Sequence, residues 1–365
     1  MTGPDTPGIR RAWGWLAHLR DGGTVPWQDW SGGGPAGGLT LPGAQQLELL
    51  RRLNEAGPVS PSLAVRVLEA SAPGRGRPDL ELVGAVDRRP FGPPPVDPAD
   101  LPDDELLRVA GAILAEDVVA AGLPEPARPR TPRPWRARYR LVGDPVLAAP
   151  RRADLIRRGL PPGRRGSVVY VLGTDVAQMT VDAWVARSLS YGAPPWPEFL
   201  AGARRRGTLP PAADPLRVCE EWAHEVGRAR VAVVLDLDAL PRLLRVRRPP
   251  AAAPDLSADA VDLARRVGQV LGLLAVPPQR RALLHEVLVP RLAAHPGAPL
   301  VLPQRHLRWA RREGRRVRDG LLGAGYAVHG NPDGLLPVAR HGVPEPSDAG
   351  VLALAMRLLL EKKAP

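Results

Sequence analysis

Two apolar runs in this chain end in carboxylates: VVYVLGTD at Asp175, and VAVVLDLD at Asp236 and Asp238. If the runs are buried strands, these acids lie beyond the strands' carboxyl ends, where open α/β sheets hold substrates or metals. Aspartate is also a favoured helix cap. Asp175 and Asp238 each precede a helical pattern, so capping is the favoured reading of both. Arginines gather in two places. Arg305, Arg308, Arg312, Arg315 and Arg318 recur along one side of a helical pattern, opposite Leu307, Ala310, Val317 and Leu321. Such a stripe can hold phosphates, although a solvated face is the ordinary state of surface arginine. The second group is Arg128, Arg130, Arg133, Arg136, Arg138 and Arg140 within PEPARPRTPRPWRARYR, with Arg136 the candidate anion ligand. Its prolines favour an extended, solvated tether. Trp27 and Trp30 could wall an aromatic ligand, but anchoring a helical unit is their favoured role.

Several chemistries are excluded. The only lysines are Lys362 and Lys363, so no phosphate loop with its lysine exists and no Schiff-base enzyme is expected. Gly32, Gly34 and Gly37 make a G-x-G-x-x-G string that follows no strand and opens no helix, which is a chance match. GAGYAV, from Gly323, fails at its last glycine. No G-x-S-x-G elbow occurs, and His285-Glu286 lacks a second His four residues after the first. Cys219 is the single cysteine, which leaves no intramolecular disulfide or thiolate zinc site, and the scattered histidines give a metal little support.

The elements that would position these residues follow from patterning. With 45 Pro and 38 Gly among 365 residues, much of the chain must be turn or linker. Short helices are expected over residues 9–20, 43–54 and 61–70. A further helix begins at Asp103 and Asp104 and buries Leu107, Ala110, Leu114, Val118 and Ala121. Beyond the tether, RYRLVG, residues 167–175 and residues 230–236 read as strands. Helices are expected over 176–189, 215–226, 258–274, 279–294, 304–323 and 347–361. A buried strand, a helical crossover and another buried strand imply α/β architecture, a parallel sheet with helical cover. The expected division is an N-terminal helical unit (1–123), a Pro/Arg-rich linker (124–140) and an α/β domain (141–365). The net charge of +12 favours anionic partners, yet few aromatics interleave the arginines, so nucleic acid is disfavoured. Nothing reads as a signal peptide or membrane span, and the cytoplasm is the expected compartment.

From residue 166 to 337 the order of segments resembles sulfotransferase-like proteins of high-GC bacteria, a branch of the P-loop-type sulfotransferases. The matching pieces are VVYVLGTDVAQMTVDAWVARSLSYGAPPWPEFL, EEWAHEVGRARVAVVLD, RRALLHEVLVPRLA, RHLRWARREGRRVRDGLLGAGY and AVHGNPDGLLP, with Trp184, Trp222, Trp309 and Tyr326 as single-residue matches. In that family an Arg-Asp at the strand end, and a Ser eight residues after the Arg, hold the 3′-phosphate of the sulfuryl donor PAPS. Aligning on Asp175 and Trp184 puts Thr174 in place of the Arg and Asp182 in place of the Ser. A neutral residue removes a charge-assisted contact, and a carboxylate adds repulsion. The family's Gly-rich loop with Lys and Ser/Thr has as its counterpart RYRLVGDPVLAAP, which has neither the Lys nor the hydroxyls.

The resemblance therefore implies a sulfotransferase-like fold without donor binding. The expected role is a non-catalytic binding or partner subunit with no cofactor. Its partner is expected to be a protein, an intact sulfotransferase among the candidates. The alternatives are a sulfotransferase-type enzyme with a donor site rebuilt from Asp175, Asp236 or the linker arginines, which would bind PAPS, and a charge-driven nucleic-acid binder.

Overall fold

The computed structural model describes residues 6–35, 40–70, 78–85, 92–125, 131, 139–163 and 166–361. In chain order the helices are α1 (Pro7–Arg20), α2 (Ala44–Ala56), α3 (Pro61–Glu69) and α4 (Asp103–Ala121), followed by strand β1 (Tyr139–Gly143) and α5 (Pro145–Arg157). Strand β2 (Val168–Leu172) leads into α6 (Val176–Ser188), α7 (Trp196–Arg206) and α8 (Pro215–Val226). Strand β3 (Val231–Val234) precedes α9 (Leu240–Leu244), α10 (Ala258–Leu274), α11 (Pro277–Leu283) and α12 (Val289–Ala293). The chain closes with α13 (Gln304–Gly323), β4 (Ala327–His329) and α14 (Asp348–Leu360).

The chain forms two compact units that interleave along the sequence. One takes residues 1–122, 262–291 and 347–365; the other takes 123–261 and 292–346. This differs from the contiguous division expected from the sequence, which assigned everything after residue 140 to the α/β domain. The reason is packing within the first unit. Its α4 is buried nearly all round, with Leu106, Leu107, Val109, Ala110, Ile113, Leu114 and Val118 enclosed, although Ala121 is exposed. A helix apolar on every side needs neighbours on every side, and α14 supplies one of them. Arg266 adds ion pairs to Asp104, Asp262 and Asp348. Trp27 and Trp30 act as anchors in this unit. The Trp27 indole is buried, donates to the Val83 carbonyl at 3.2 Å and carries Arg11 over its face at 4.0 Å, while Trp30 stacks on His18.

The expected helix over 279–294 is one rod with a defect: α11 and α12 are joined by a π turn at Leu284–Leu288. Pro290 has no N–H to return to the Glu286 carbonyl, so a shifted ladder at this point has a local cause. Residues 126–130 and 132–138 of the expected linker, Arg136 among them, lie outside the described residues, as does Gly37 of the glycine string. Tyr139 and Arg140, which the expected linker and the expected strand RYRLVG both included, belong to strand β1.

The second unit holds an all-parallel sheet in the order β1-β2-β3-β4. Three strands were expected; β4 was missed because only Ala327, Val328 and His329 form it. Helices α5 and α7 were also missed. Pro150 interrupts the α5 pattern, and prolines and a run of three arginines flank the apolar residues of α7. Both faces of the sheet are covered, as continuous apolar strands require. Val169, Val171, Val231 and Val233 pack with side chains of α6, α8 and α13. On the other face Tyr139, Leu141, Leu172 and Val234 meet Ala148 and Leu155 of α5 and Leu240 and Leu244 of α9. Trp184 of α6 and Trp196 of α7 lie fully buried against each other at 5.4 Å, and their indoles donate to the carbonyls of Pro194 and Pro344.

Candidate functional site at the carboxyl edge of the sheet

Strands β1 and β2 each run into a helix through a single aspartate. After β1, Gly143 adopts φ +96°, and a β-carbon there would meet the Leu172 carbonyl oxygen at 2.3 Å, so only glycine lets the chain turn this close to β2. Asp144 follows as the cap of α5, its Oδ1 accepting from the N–H groups of Val146 at 2.9 Å and Leu147 at 3.2 Å. After β2, Asp175 caps α6 in the same way, with Oδ1 accepting from Ala177 at 3.1 Å and Gln178 at 3.0 Å. Both carboxylates are 1% exposed. The N–H groups that a helix start would offer to a phosphate are therefore spent on the protein's own acids.

The remaining carboxylate oxygens have different fates. Asp175 Oδ2 accepts two bonds from Arg340, at 2.8 Å from Nη2 and 3.2 Å from Nε. Asp144 Oδ2 is buried without a hydrogen-bond partner, and the carboxyl of Asp182, on the inner side of α6, is its ionisable neighbour. Two neighbouring buried carboxyls resist both being ionised. Burial first, and then the neighbouring Asp182, push Asp144 well above the ordinary carboxylate range. Burial also raises Asp182, while the Gln178 amide at 2.9 Å, Asp144 and Arg340 work against that rise. Their titrations are linked, and the pair retains a proton above the ordinary carboxylate range.

The candidates read from the sequence are thus partly brought together. Asp175 and Asp182 share α6 and its start, and Thr174 stands half-buried beside them. Asp175 caps, as favoured. Asp182 is held within the protein by Gln178 and Asp144 rather than turned to a ligand. Asp236 and Asp238 are exposed at the end of β3, and the capping there is reversed from expectation. Asp236 Oδ1 accepts from the Asp238 N–H at 3.0 Å and caps the short turn Leu237–Ala239, while Asp238 lies inside that turn. In the arginine stripe of α13, opposite buried Ala310, Val317 and Leu321, Arg305, Arg308, Arg312 and Arg315 are exposed and Arg318 is half-buried, and Arg312 and Arg318 are engaged with acids.

Sequence reasoning missed Asp144 and Arg340. The first had a signal: an aspartate between a strand and a proline at the first helical position is a capping signature. Arg340 had none, since it reaches Asp175 from 165 residues away. Among the described residues no group of three His, Cys, Asp or Glu side chains is placed to hold a metal ion, and no helix is long and apolar enough to cross a membrane. No family model, no curated protein and no solved structure matches this chain.

Proposed function

We propose that this chain is a non-catalytic binding protein built on a sulfotransferase-like scaffold, without a grip on a PAPS-type donor and with another protein as its partner. The observation that carries the reading is the double cap. Helices α5 and α6 begin at the carboxyl edge where a phosphate-bearing donor would rest, and each start is filled by its own aspartate. A donor would have to displace Asp144 and Asp175 from four N–H bonds and come to rest among buried carboxyls. Bringing a phosphate there adds like-charge repulsion at low dielectric, where it is least screened. Thr174 and Asp182, at the positions where the resembled family carries Arg and Ser, deepen this barrier.

A rebuilt transferase site would draw on the proton-sharing pair, since paired carboxyls with separated affinities are a mark of acid–base chemistry. Asp144 and Asp182 are only 1% and 6% exposed, which keeps that proton from any substrate in this arrangement.

The test is calorimetric titration with adenosine 3′,5′-bisphosphate, a donor analogue, against the full chain and a variant carrying Arg204→Ala, Arg205→Ala and Arg305→Ala. Arg204 and Arg205 of α7 and Arg305 of α13 make no hydrogen bond or ion pair with Asp144, Asp175 or Asp182. No saturable binding is expected in the triple variant, and Thr174→Arg added to it should not create any. Micromolar binding that survives the triple substitution would place the nucleotide at the sheet and overturn the proposal.

A further inference from the structure

A second site in the α/β unit lies on α7 and the start of α13. Pro197, Ala201, Arg204 and Arg205 of α7, with Arg305 and His306 of α13, line an open depression of about 450 Å³. That lies within the range of small-ligand sites, roughly 300–1,000 Å³.

Three observations point to an anion. First, α13 is a 20-residue helix whose start, after Pro303, receives no side-chain cap; the His306 N–H returns to the Pro303 carbonyl at 2.8 Å, and the N–H groups of Gln304 and Arg305 ahead of it remain available. Second, Arg204, Arg205 and Arg305 are exposed, and among the described residues none forms an ion pair. The last turn of α7 accounts for Arg204 and Arg205, because cations suit a helix C-terminus. It does not account for Arg305, which occupies the first turn of α13, the positive end of that helix, with two further guanidinium groups bordering the same depression. Like charges gathered at a positive pole repel, a repulsion that solvent screens and a bound anion would turn to attraction. Third, His306 is 5% exposed, and Arg305 Nε donates to its Nε2 at 3.2 Å. That bond leaves the imidazole hydrogen on Nδ1, which is buried and has no partner. Burial, then Arg305 and Arg204, push His306 below the usual histidine value, which keeps the ring a neutral donor.

We propose that this depression binds a tetrahedral oxyanion, the phosphate or sulfate ester of a small molecule, held by Arg204, Arg205 and Arg305 over the open start of α13. Guanidinium groups match the planar edges of such oxyanions, and the helix start supplies further N–H donors. The inference does not depend on the fate of the donor site, since no residue is shared between the two places.

The experiment is calorimetric titration of the full chain with phenyl phosphate and, separately, phenyl sulfate at low ionic strength. One saturable site is expected for at least one of the probes, and the tighter probe identifies which ester the site prefers. Arg305→Ala should weaken that binding by about tenfold, the loss of one charge-assisted contact. Arg315→Ala, on the exposed side of the same helix, should leave it unchanged. Absence of saturable binding for both probes overturns the proposal, and so does equal weakening by the two variants. Circular dichroism of each variant guards against misfolding, and Arg305→Gln serves as a second variant if Arg305→Ala fails that check.

Discussion

The two helix starts at the carboxyl edge and the start of α13 use the same backbone device to opposite ends. At α5 and α6 the free N–H groups are met by Asp144 and Asp175 from within the chain, and the remaining charge is absorbed by Arg340 or by a proton shared with Asp182. At α13 no side chain caps the helix and three cations border the depression. A helix start attracts anions in general, and at α5 and α6 the residue before it makes that anion internal. Where the chain supplies its own carboxylate, the site becomes part of the fold. At α13, where proline and arginine stand instead, the proposed anion would come from solution.

The largest expected effect comes from removing an internal anion. Asp175→Ala deletes a cap that satisfies two N–H groups and should cost about 2 kcal/mol of unfolding free energy in urea titration. Asp175→Asn, which keeps an accepting oxygen, should cost less than half as much. If the two variants are equally stable, the cap is not what makes Asp175 matter, and the contrast with α13 weakens.

Next in size is the proton-sharing pair, and here the sign of the pH dependence is diagnostic. The folded pair retains a proton at pH values where unfolded carboxyls have lost theirs. Its contribution is therefore complete below the ordinary carboxylate pKa and fades as pH rises through the raised folded value. Asp182→Asn supplies a permanent N–H to Asp144 and an oxygen to Gln178. It should stabilise the protein at pH 7.5 by about 1 kcal/mol, the worth of one hydrogen bond, with a smaller gain in mild acid. A variant no more stable than the parent at pH 7.5 would refute the shared proton.

The smallest effect belongs to Arg340. Its side chain is 46% exposed, so it regains water when the pair with Asp175 is broken. Arg340→Gln should cost no more than about 1 kcal/mol in the same titration, and less still in high salt. A loss exceeding that of Asp175→Ala would mean that Arg340, not the helix start, neutralises the edge.

Much of this was legible along the chain. The helices at 215–226, 258–274 and 304–323 were expected at the bounds they have, because each carries an apolar face at regular spacing between breakers. Asp175 as a cap followed from an aspartate between an apolar run and a helical pattern. Strand β4 was not legible, since three residues carry too little pattern and its pairing with β3 is what makes it a strand. The joining of α14 to α4 was hidden for a related reason: an apolar helix announces that it is buried, but not against what.

Taken alone, the order of residues determined the local chemistry: which segments are helical or extended, which helix starts carry a capping acid, and which chemistries lack their essential side chain. Those depend on neighbours within a turn or two, and spacing encodes them. Only the folded chain decided that Asp144 meets Asp182, that Arg340 answers Asp175, and that Arg204 and Arg205 border the same depression as Arg305. Each of those pairings depends on burial and on charge at a few ångströms between segments far apart in sequence, and charge at that range is set by packing rather than by order.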